Sequence, residues 1–307
     1  MSSQTNKQPT LKKISKGLTV GSVMTGSTFF HGPPVLALGL IKLFKKSKKV
    51  DETNIKITNS WLTVNNWLID HVLPNTKWDI TIDEGLDLNL HGRYLMTCNH
   101  QSWVDTTVNQ YFGLTRMPLT RFFTKWELIF IPFVGQAFKI LGFPMMKRHS
   151  KEQIAKNPEL KYRDMEEARK SCEQLLSQPF TLLNYLEGTR FTPEKHAQQQ
   201  SPYQNLLKPK AGGLALALNI LGDQVDALVD MTIVYPNGAP GYGEFWLGEV
   251  PRIAVDLRKI EIPTWVHGGN YEDDAEFREK FQHWVDELWT EKDQLITRMK
   301  AKYSVTE

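Results

Sequence analysis

Two polar clusters, each following an apolar run, have residue types that could do chemistry. The first is Asn99-His100-Gln101-Ser102-Trp103-Val104-Asp105, directly after the apolar stretch Tyr94–Cys98. Imidazole ionises near neutral pH, so His100 could take a proton and return it within one reaction cycle. Asp105 could accept a hydrogen bond from one ring nitrogen, fix the tautomer and stabilise the imidazolium. Five positions along one helix put side chains about 140° apart. The two groups therefore meet only if His100 sits in the turn ahead of the helix that carries Asp105. A plainer reading is available. Ser102-x-x-Asp105 matches a helix capping box, with the acid reaching back to a backbone N–H, and His100 is then a turn residue.

The second cluster is Glu187-Gly188-Thr189-Arg190, after the apolar run Phe180–Leu186. Glycine permits a positive φ or a close backbone approach. Arginine offers a planar fork that matches a phosphate. The plainer reading is a turn with a surface ion pair. A third stretch runs from Lys125-Trp126-Glu127 through Pro132-Phe133-Val134-Gly135 to Gly142 and Lys147-Arg148. It is apolar with a cation at each end, which suits a wall against an acyl chain or, equally, a core helix pair with snorkelling lysines. The fourth is Lys208-Pro209-Lys210-Ala211-Gly212-Gly213 at the start of an apolar helix, either an anion site or a basic surface turn.

These clusters need a scaffold that brings strand ends together. A helix is predicted over Ile55–Leu73, with Trp61, Val64, Leu68 and Val72 on one face. Trp78, Ile80 and Ile82 alternate with polar residues and predict a half-buried strand. Further strands are predicted over Tyr94–Cys98, Phe180–Leu186, Ala227–Tyr235 and around Ile253–Leu257. Helices are predicted over 102–113, 163–177 and 213–221. Near the end Phe277, Phe281, Trp284, Val285, Leu288, Trp289 and Ile296 recur at helical spacing. That stripe reads as core packing, with Trp284 and Trp289 at a membrane interface as the lesser alternative. Strands alternating with helices predict an α/β fold, a mixed sheet flanked by helices, whose strand carboxyl ends carry the polar clusters.

Composition narrows the classes. The 307 residues carry a net charge of +3 and two cysteines, Cys98 and Cys172. The charge is too small, and no motif is present, for a nucleic-acid partner. Two cysteines make neither a disulfide framework nor a zinc site, so no metal is expected. The segment Gly17–Ile41 has no formal charge and is flanked by Lys12, Lys13 and Lys16 on one side and Lys42, Lys45, Lys46, Lys48 and Lys49 on the other. It is long enough to span a bilayer, yet Gly21, Ser22, Thr25 and Gly26 dilute it and Pro33-Pro34 interrupts it. Two short segments bent at the prolines and lying in one leaflet are expected, followed by a charged linker over 42–51. Residues 1–50 are accordingly taken as a membrane-associated segment and 51–307 as the catalytic domain.

In this order, the clusters resemble the motifs of the 1-acylglycerol-3-phosphate O-acyltransferase (lysophosphatidic acid acyltransferase) family. Asn99, His100 and Asp105 match its N-H-x4-D motif. Lys125, Ile131-Pro132, Gly135 and Arg148 match its second motif. Glu187-Gly188-Thr189-Arg190 match F-P-E-G-T-R, with Tyr185-Leu186 in place of Phe-Pro. Val234-Tyr235-Pro236 matches the apolar strand ending in proline. The longer strings around Lys125–Arg148 and Glu187–His196 are most similar to the subgroup of bacterial inner-membrane enzymes and animal lysocardiolipin-type enzymes.

The resemblance implies that His100 is the general base for a glycerol hydroxyl attacking a thioester, and that Asp105 orients it. It implies that Arg190, with Lys125 and Arg148, holds the acceptor phosphate, that Gly188 and Thr189 also belong to the substrate-binding residues, and that Glu187 orders that loop or touches the acceptor. Backbone N–H groups near Gly188 would serve the oxyanion. It implies no cofactor, only acyl-CoA or acyl-carrier protein as acyl donor. The acceptor would be a membrane lipid, and the enzyme would work at the cytoplasmic face of the inner membrane. Two rivals remain from the residues: a hydrolase with Cys98 or Ser102 as nucleophile, and a non-catalytic lipid-binding protein.

Overall fold

The computed structural model describes residues 10–45, 47–146, 151–157 and 159–304. The chain runs α1 (Thr10–Phe44), α2 (Lys48–Val72), β1 (Lys77–Ile82), β2 (Arg93–Cys98), α3 (Val104–Gly113), β3 (Thr120–Phe122), β4 (Thr124–Lys125), a 3₁₀ turn (Trp126–Phe130), α4 (Val134–Ile140), β5 (Met145–Met146), α5 (Lys151–Lys156) and α6 (Glu159–Leu175). It continues with β6 (Phe180–Asn184), α7 (Pro193–Gln199), α8 (Gly212–Leu221), β7 (Ala227–Val234), α9 (Tyr242–Leu247), β8 (Arg252–Ile260) and α10 (Ala275–Ser304).

The main sheet has the order β1-β8-β7-β2-β6-β3. Strands β7, β2, β6 and β3 are mutually parallel, whereas β8 is antiparallel to β7 and carries β1 parallel beside it. The polar clusters after β2, β6 and β7, and Lys125 just past β3, therefore all emerge at one edge of the sheet. This is where open α/β sheets place ligands.

Each face of the sheet is covered. On one face Met96, Cys98, Val229, Met231 and Ile233 pack with Leu68 and Ile69 of α2, Val104 and Val108 of α3 and Phe245 of α9. On the other, Leu95, Leu182 and Leu228 pack with Cys172 of α6, Leu214 and Leu218 of α8, and Phe281, Val285 and Trp289 of α10. The α10 stripe is thus core, and Trp284 and Trp289 are buried in it. Strand β1 departs from the expectation of a half-buried strand. It lies at the sheet edge, and Ile80 and Ile82 are each more than a third exposed.

The N-terminal expectation requires correction. Pro33 and Pro34 lie inside a single 35-residue helix rather than between two bent segments. Proline removes the helical bonds to the carbonyls of the residues four positions back, here Phe29 and Phe30. Both prolines face outward, so the packed side of α1 is intact. That side is held by tertiary contact: Val35 is fully buried, and a Cβ on Gly39 would sit 2.3 Å from the Ile140 side chain of α4. The expected linker over 42–51 is largely helical. Lys42 pairs with Asp51 at 2.5 Å across the tip of the α1–α2 hairpin, and residues 50 and 51 both lie within α2. Among the described residues no helix is long and apolar enough to cross a membrane.

Candidate active site

The end of β2 is tied to β7 by one side chain. Asn99 Nδ2 donates to the Ile233 carbonyl and its Oδ1 accepts from the Ile233 N–H, both at 2.9 Å. This pairing ends the strand and turns the chain, so that His100 leaves the sheet before α3 begins.

Asp105, in the first turn of α3, is fully buried. Its Oδ2 accepts from His100 Nδ1 at 2.8 Å and from the backbone N–H groups of Gln101 and Ser102 at 2.6 and 2.8 Å. Its Oδ1 accepts from the Tyr235 hydroxyl at 2.7 Å. The capping interaction and the imidazole contact are therefore made by one carboxylate at once, and neither reading displaces the other. With Nδ1 donating to Asp105, the neutral ring carries its lone pair on Nε2, the arrangement a general base needs. Among the described residues Nε2 has no hydrogen-bond partner.

The loop after β6 fixes the backbone of His100 from both sides. Glu187 Oε1 accepts from the His100 N–H at 2.7 Å, and the Phe191 N–H donates to the His100 carbonyl at 2.7 Å. The second oxygen of Glu187 accepts from the Leu207 N–H at 3.0 Å. Glu187 is fully buried, and both of its oxygens are occupied by backbone donors. Geometry thus makes it a loop-ordering residue with no oxygen turned toward a ligand. Burial pushes its carboxyl up to about 8, against the two backbone donors and Lys292, which favour the charged form.

Gly188 has φ +67°, open to glycine at little cost, and a Cβ there would meet the Lys210 side chain. Its N–H is bonded to the Tyr185 carbonyl at 2.8 Å, so it is not available to an oxyanion. Thr189 and Arg190 are braced by Lys195 of α7, whose Nζ donates to Thr189 Oγ1 at 2.8 Å and to the Arg190 carbonyl at 3.0 Å. Lys125 is exposed on β4. Arg148 lies outside the described residues. The structure therefore joins His100, Asp105 and Glu187 by direct bonds, places Gly188–Arg190 in the adjoining loop, and sets Lys125 at the same sheet edge.

Three contributors are not legible in the sequence as site residues. The ring of Tyr185, which replaces the phenylalanine of the matched motif, stacks on His100 with centroids 4.2 Å apart and planes 21° apart. Its hydroxyl accepts from Asn109 Nδ2 at 3.2 Å. Burial first, then Cys98 and Asp105, push the Tyr185 hydroxyl well above its ordinary pKa, so it remains neutral. Lys195 is the third. Only Tyr185 left a trace, as a departure from the matched motif.

Neither alternative nucleophile is placed for attack. Cys98 is fully buried, and burial pushes its thiol far above the ordinary range. Ser102 Oγ donates to the Pro240 carbonyl at 2.6 Å and accepts from the Val104 N–H at 3.0 Å. The other cysteine, Cys172, is also buried, with its thiol pushed up to about 12. Alkylation of the native protein with iodoacetamide at pH 7.5 is therefore expected to modify neither thiol and to leave turnover within twofold. Mass spectrometry of the treated protein checks this, and rapid labelling of Cys98 with matching loss of activity would revive a thiol mechanism.

A family model described as Acyltransferase matches residues 79–236, more than half of the chain. The 2-acyl-1-lysophosphatidylinositol acyltransferase of Saccharomyces cerevisiae is 25% identical over 259 residues, covering 68% of this chain and 62% of the yeast protein. Lysocardiolipin acyltransferase 1 of Danio rerio is 25% identical over 299 residues, covering 92% of this chain and 69% of the fish protein. The chain thus spans about two thirds of these relatives' lengths. The crystal structure of the 1-acyl-sn-glycerophosphate acyltransferase PlsC from Thermotoga maritima superposes with a TM-score of 0.54 at 16% identity, covering 94% of this chain and 97% of that one. The matched segment starts in β1 and ends at Pro236, so it takes in His100, Asp105 and the loop Gly188–Arg190. On this evidence the chain belongs to the acyltransferase family.

Proposed function

We propose that the protein transfers a fatty acyl group from acyl-CoA or acyl-carrier protein to the sn-2 hydroxyl of 1-acylglycerol-3-phosphate, or of a related lysophospholipid, giving phosphatidic acid in the first case. The observation that carries this reading is the Nε2 of His100, unpartnered among the described residues, with Nδ1 held on buried Asp105. In this mechanism Nε2 takes the hydroxyl proton as the oxygen attacks the thioester carbonyl. The tetrahedral intermediate then collapses, the C–S bond breaks, and the imidazolium returns its proton to the leaving thiolate. No acyl-enzyme forms. Asp105 stabilises the imidazolium. The N–H groups of Thr189 and Arg190, which have no acceptor among the described residues, are the oxyanion donors in this reading. Arg190 is the phosphate fork, assisted by Lys125 and Arg148. The test is thiol release by detergent-solubilised protein, run with and without 1-acylglycerol-3-phosphate. Acceptor-dependent release with diacyl product supports transfer. Equal release without acceptor would make it a thioesterase, and no release with any lysophospholipid would favour lipid binding alone.

The same reading puts the protein on the cytoplasmic face of the inner membrane, where its donors are made. Support comes from α1, whose Leu11, Leu18, Phe29, Phe30, Leu40 and Phe44 are all more than half exposed. Lys16 Nζ, bonded to the Val72 carbonyl at 2.6 Å, ties this helix to the catalytic unit. Each such side chain buried in lipid contributes about 1.5–3 kcal/mol. Replacing Leu18, Phe30 and Phe44 with serine should lower vesicle partitioning by at least about tenfold per residue. Unchanged co-sedimentation with vesicles would remove α1 as the membrane contact.

A further inference from the structure

The Arg190 side chain makes a cation–π contact with Trp103. Its guanidinium carbon lies 4.5 Å from the centroid of the Trp103 ring. Among the described residues no carboxylate or carbonyl takes its N–H donors. Trp103 is 54% exposed at the entrance to α3, three residues from His100. A guanidinium over an indole is held by the ring's negative face, and this contact occupies none of its N–H donors. An ion pair would hold the arginine as firmly but would consume the fork. The backbone below is fixed separately, since Lys195 bonds the Arg190 carbonyl. Arg190 is thus immobilised at both ends without spending a donor.

We propose that Trp103 is a positioning residue for anionic-headgroup recognition: its indole pre-orients Arg190 so that the free edge of the guanidinium meets the acceptor's phosphate. This rests on the reading of Arg190 as the phosphate fork. An arginine side chain has many rotamers to lose on binding, and stacking removes that loss before the ligand arrives. The effect is confined to acceptors that carry phosphate and resides in binding rather than in the chemical step. A phenylalanine at 103 keeps a ring face, whereas alanine does not.

The experiment is a binding titration in neutral detergent micelles, with 1-acylglycerol-3-phosphate and uncharged 1-monoacylglycerol as probes. It compares wild type, Trp103→Ala, Trp103→Phe, Arg190→Ala and the Trp103→Ala/Arg190→Ala double variant, with KM and kcat measured alongside. Trp103→Ala should weaken binding of the phosphate lipid about two- to fivefold, raise its KM in step, and leave the uncharged lipid unaffected. Trp103→Phe should restore most of the loss, and the double variant should bind no worse than Arg190→Ala. The inference is overturned if the alanine change weakens both lipids equally, if its effect persists without Arg190, or if wild type binds the phosphate lipid no better than the uncharged one. A coupled binding loss in a protein that releases no thiol would leave the inference standing and sink the transfer reading instead.

Discussion

Replacing His100 with alanine is expected to lower kcat by about 10²–10⁴-fold, the range supplied by a positioned general base. Asp105→Asn should cost less, and the geometry says why. Three N–H donors converge on Oδ2, so the amide oxygen of an asparagine must occupy that place. Its NH₂ then faces the Tyr235 hydroxyl, which can accept. The imidazole keeps its tautomer, and the variant loses only the negative charge behind the imidazolium. A hydrogen bond to a charged group contributes about 1.5–3 kcal/mol, which corresponds to a kcat loss of about 10- to 100-fold. Steady-state kinetics on both variants, with thermal melts to show that they fold, gives the comparison. Near-wild-type activity in His100→Ala would reduce His100 to a turn residue. An Asp105→Asn loss as large as that of His100→Ala would mean that the tautomer, and not the charge alone, had been lost.

The second large effect concerns Glu187. Glu187→Leu strips both backbone donors, His100 N–H and Leu207 N–H, of their acceptor in a buried setting. At about 1–3 kcal/mol per unsatisfied group, the cost is about 2–6 kcal/mol, a large share of an ordinary domain's stability. Glu187→Gln retains one acceptor and should cost about half as much. The pH dependence has a definite sign. Burial raises the folded carboxyl to about 8, above its value of 4.5 in an unfolded chain. Between those values the folded state binds more protons, so stability falls as pH rises from about 4.5 through 8. Urea melts at pH 5, 6, 7 and 8 should show that decline in wild type and a flatter profile in Glu187→Gln. A parallel profile in the two proteins would mean that Glu187 does not titrate in this range.

The sequence exposed the catalytic unit more clearly than the N-terminus, for a physical reason. Strands β2, β6 and β7 are buried on both faces, so they appear as continuous apolar runs, and the polar residues that follow mark their ends. The α10 stripe was equally plain because one face carries large apolar groups. Pro33-Pro34 misled because local propensity argues for a break, while packing on α2 and α4 keeps α1 continuous. The edge position of β1 was not legible either, since alternation in Trp78–Ile82 says nothing about which neighbour strand is absent. In the site, Lys195 was invisible because its reach to Thr189 depends on how α7 folds back, and Tyr185 showed only as a departure from the motif because stacking leaves no spacing pattern.

The double tie between His100 and the loop after β6 bears on how such a protein could be re-engineered. Glu187 and the Phe191 N–H hold the backbone of His100, while Gly188–Arg190 lie between these two anchors. A graft of this loop would therefore carry the placement of His100 with it. Exchange confined to positions 188–190 leaves the anchors intact. Exchange of the whole run from 187 to 191 replaces the glycine-arginine loop and the mounting of His100 together.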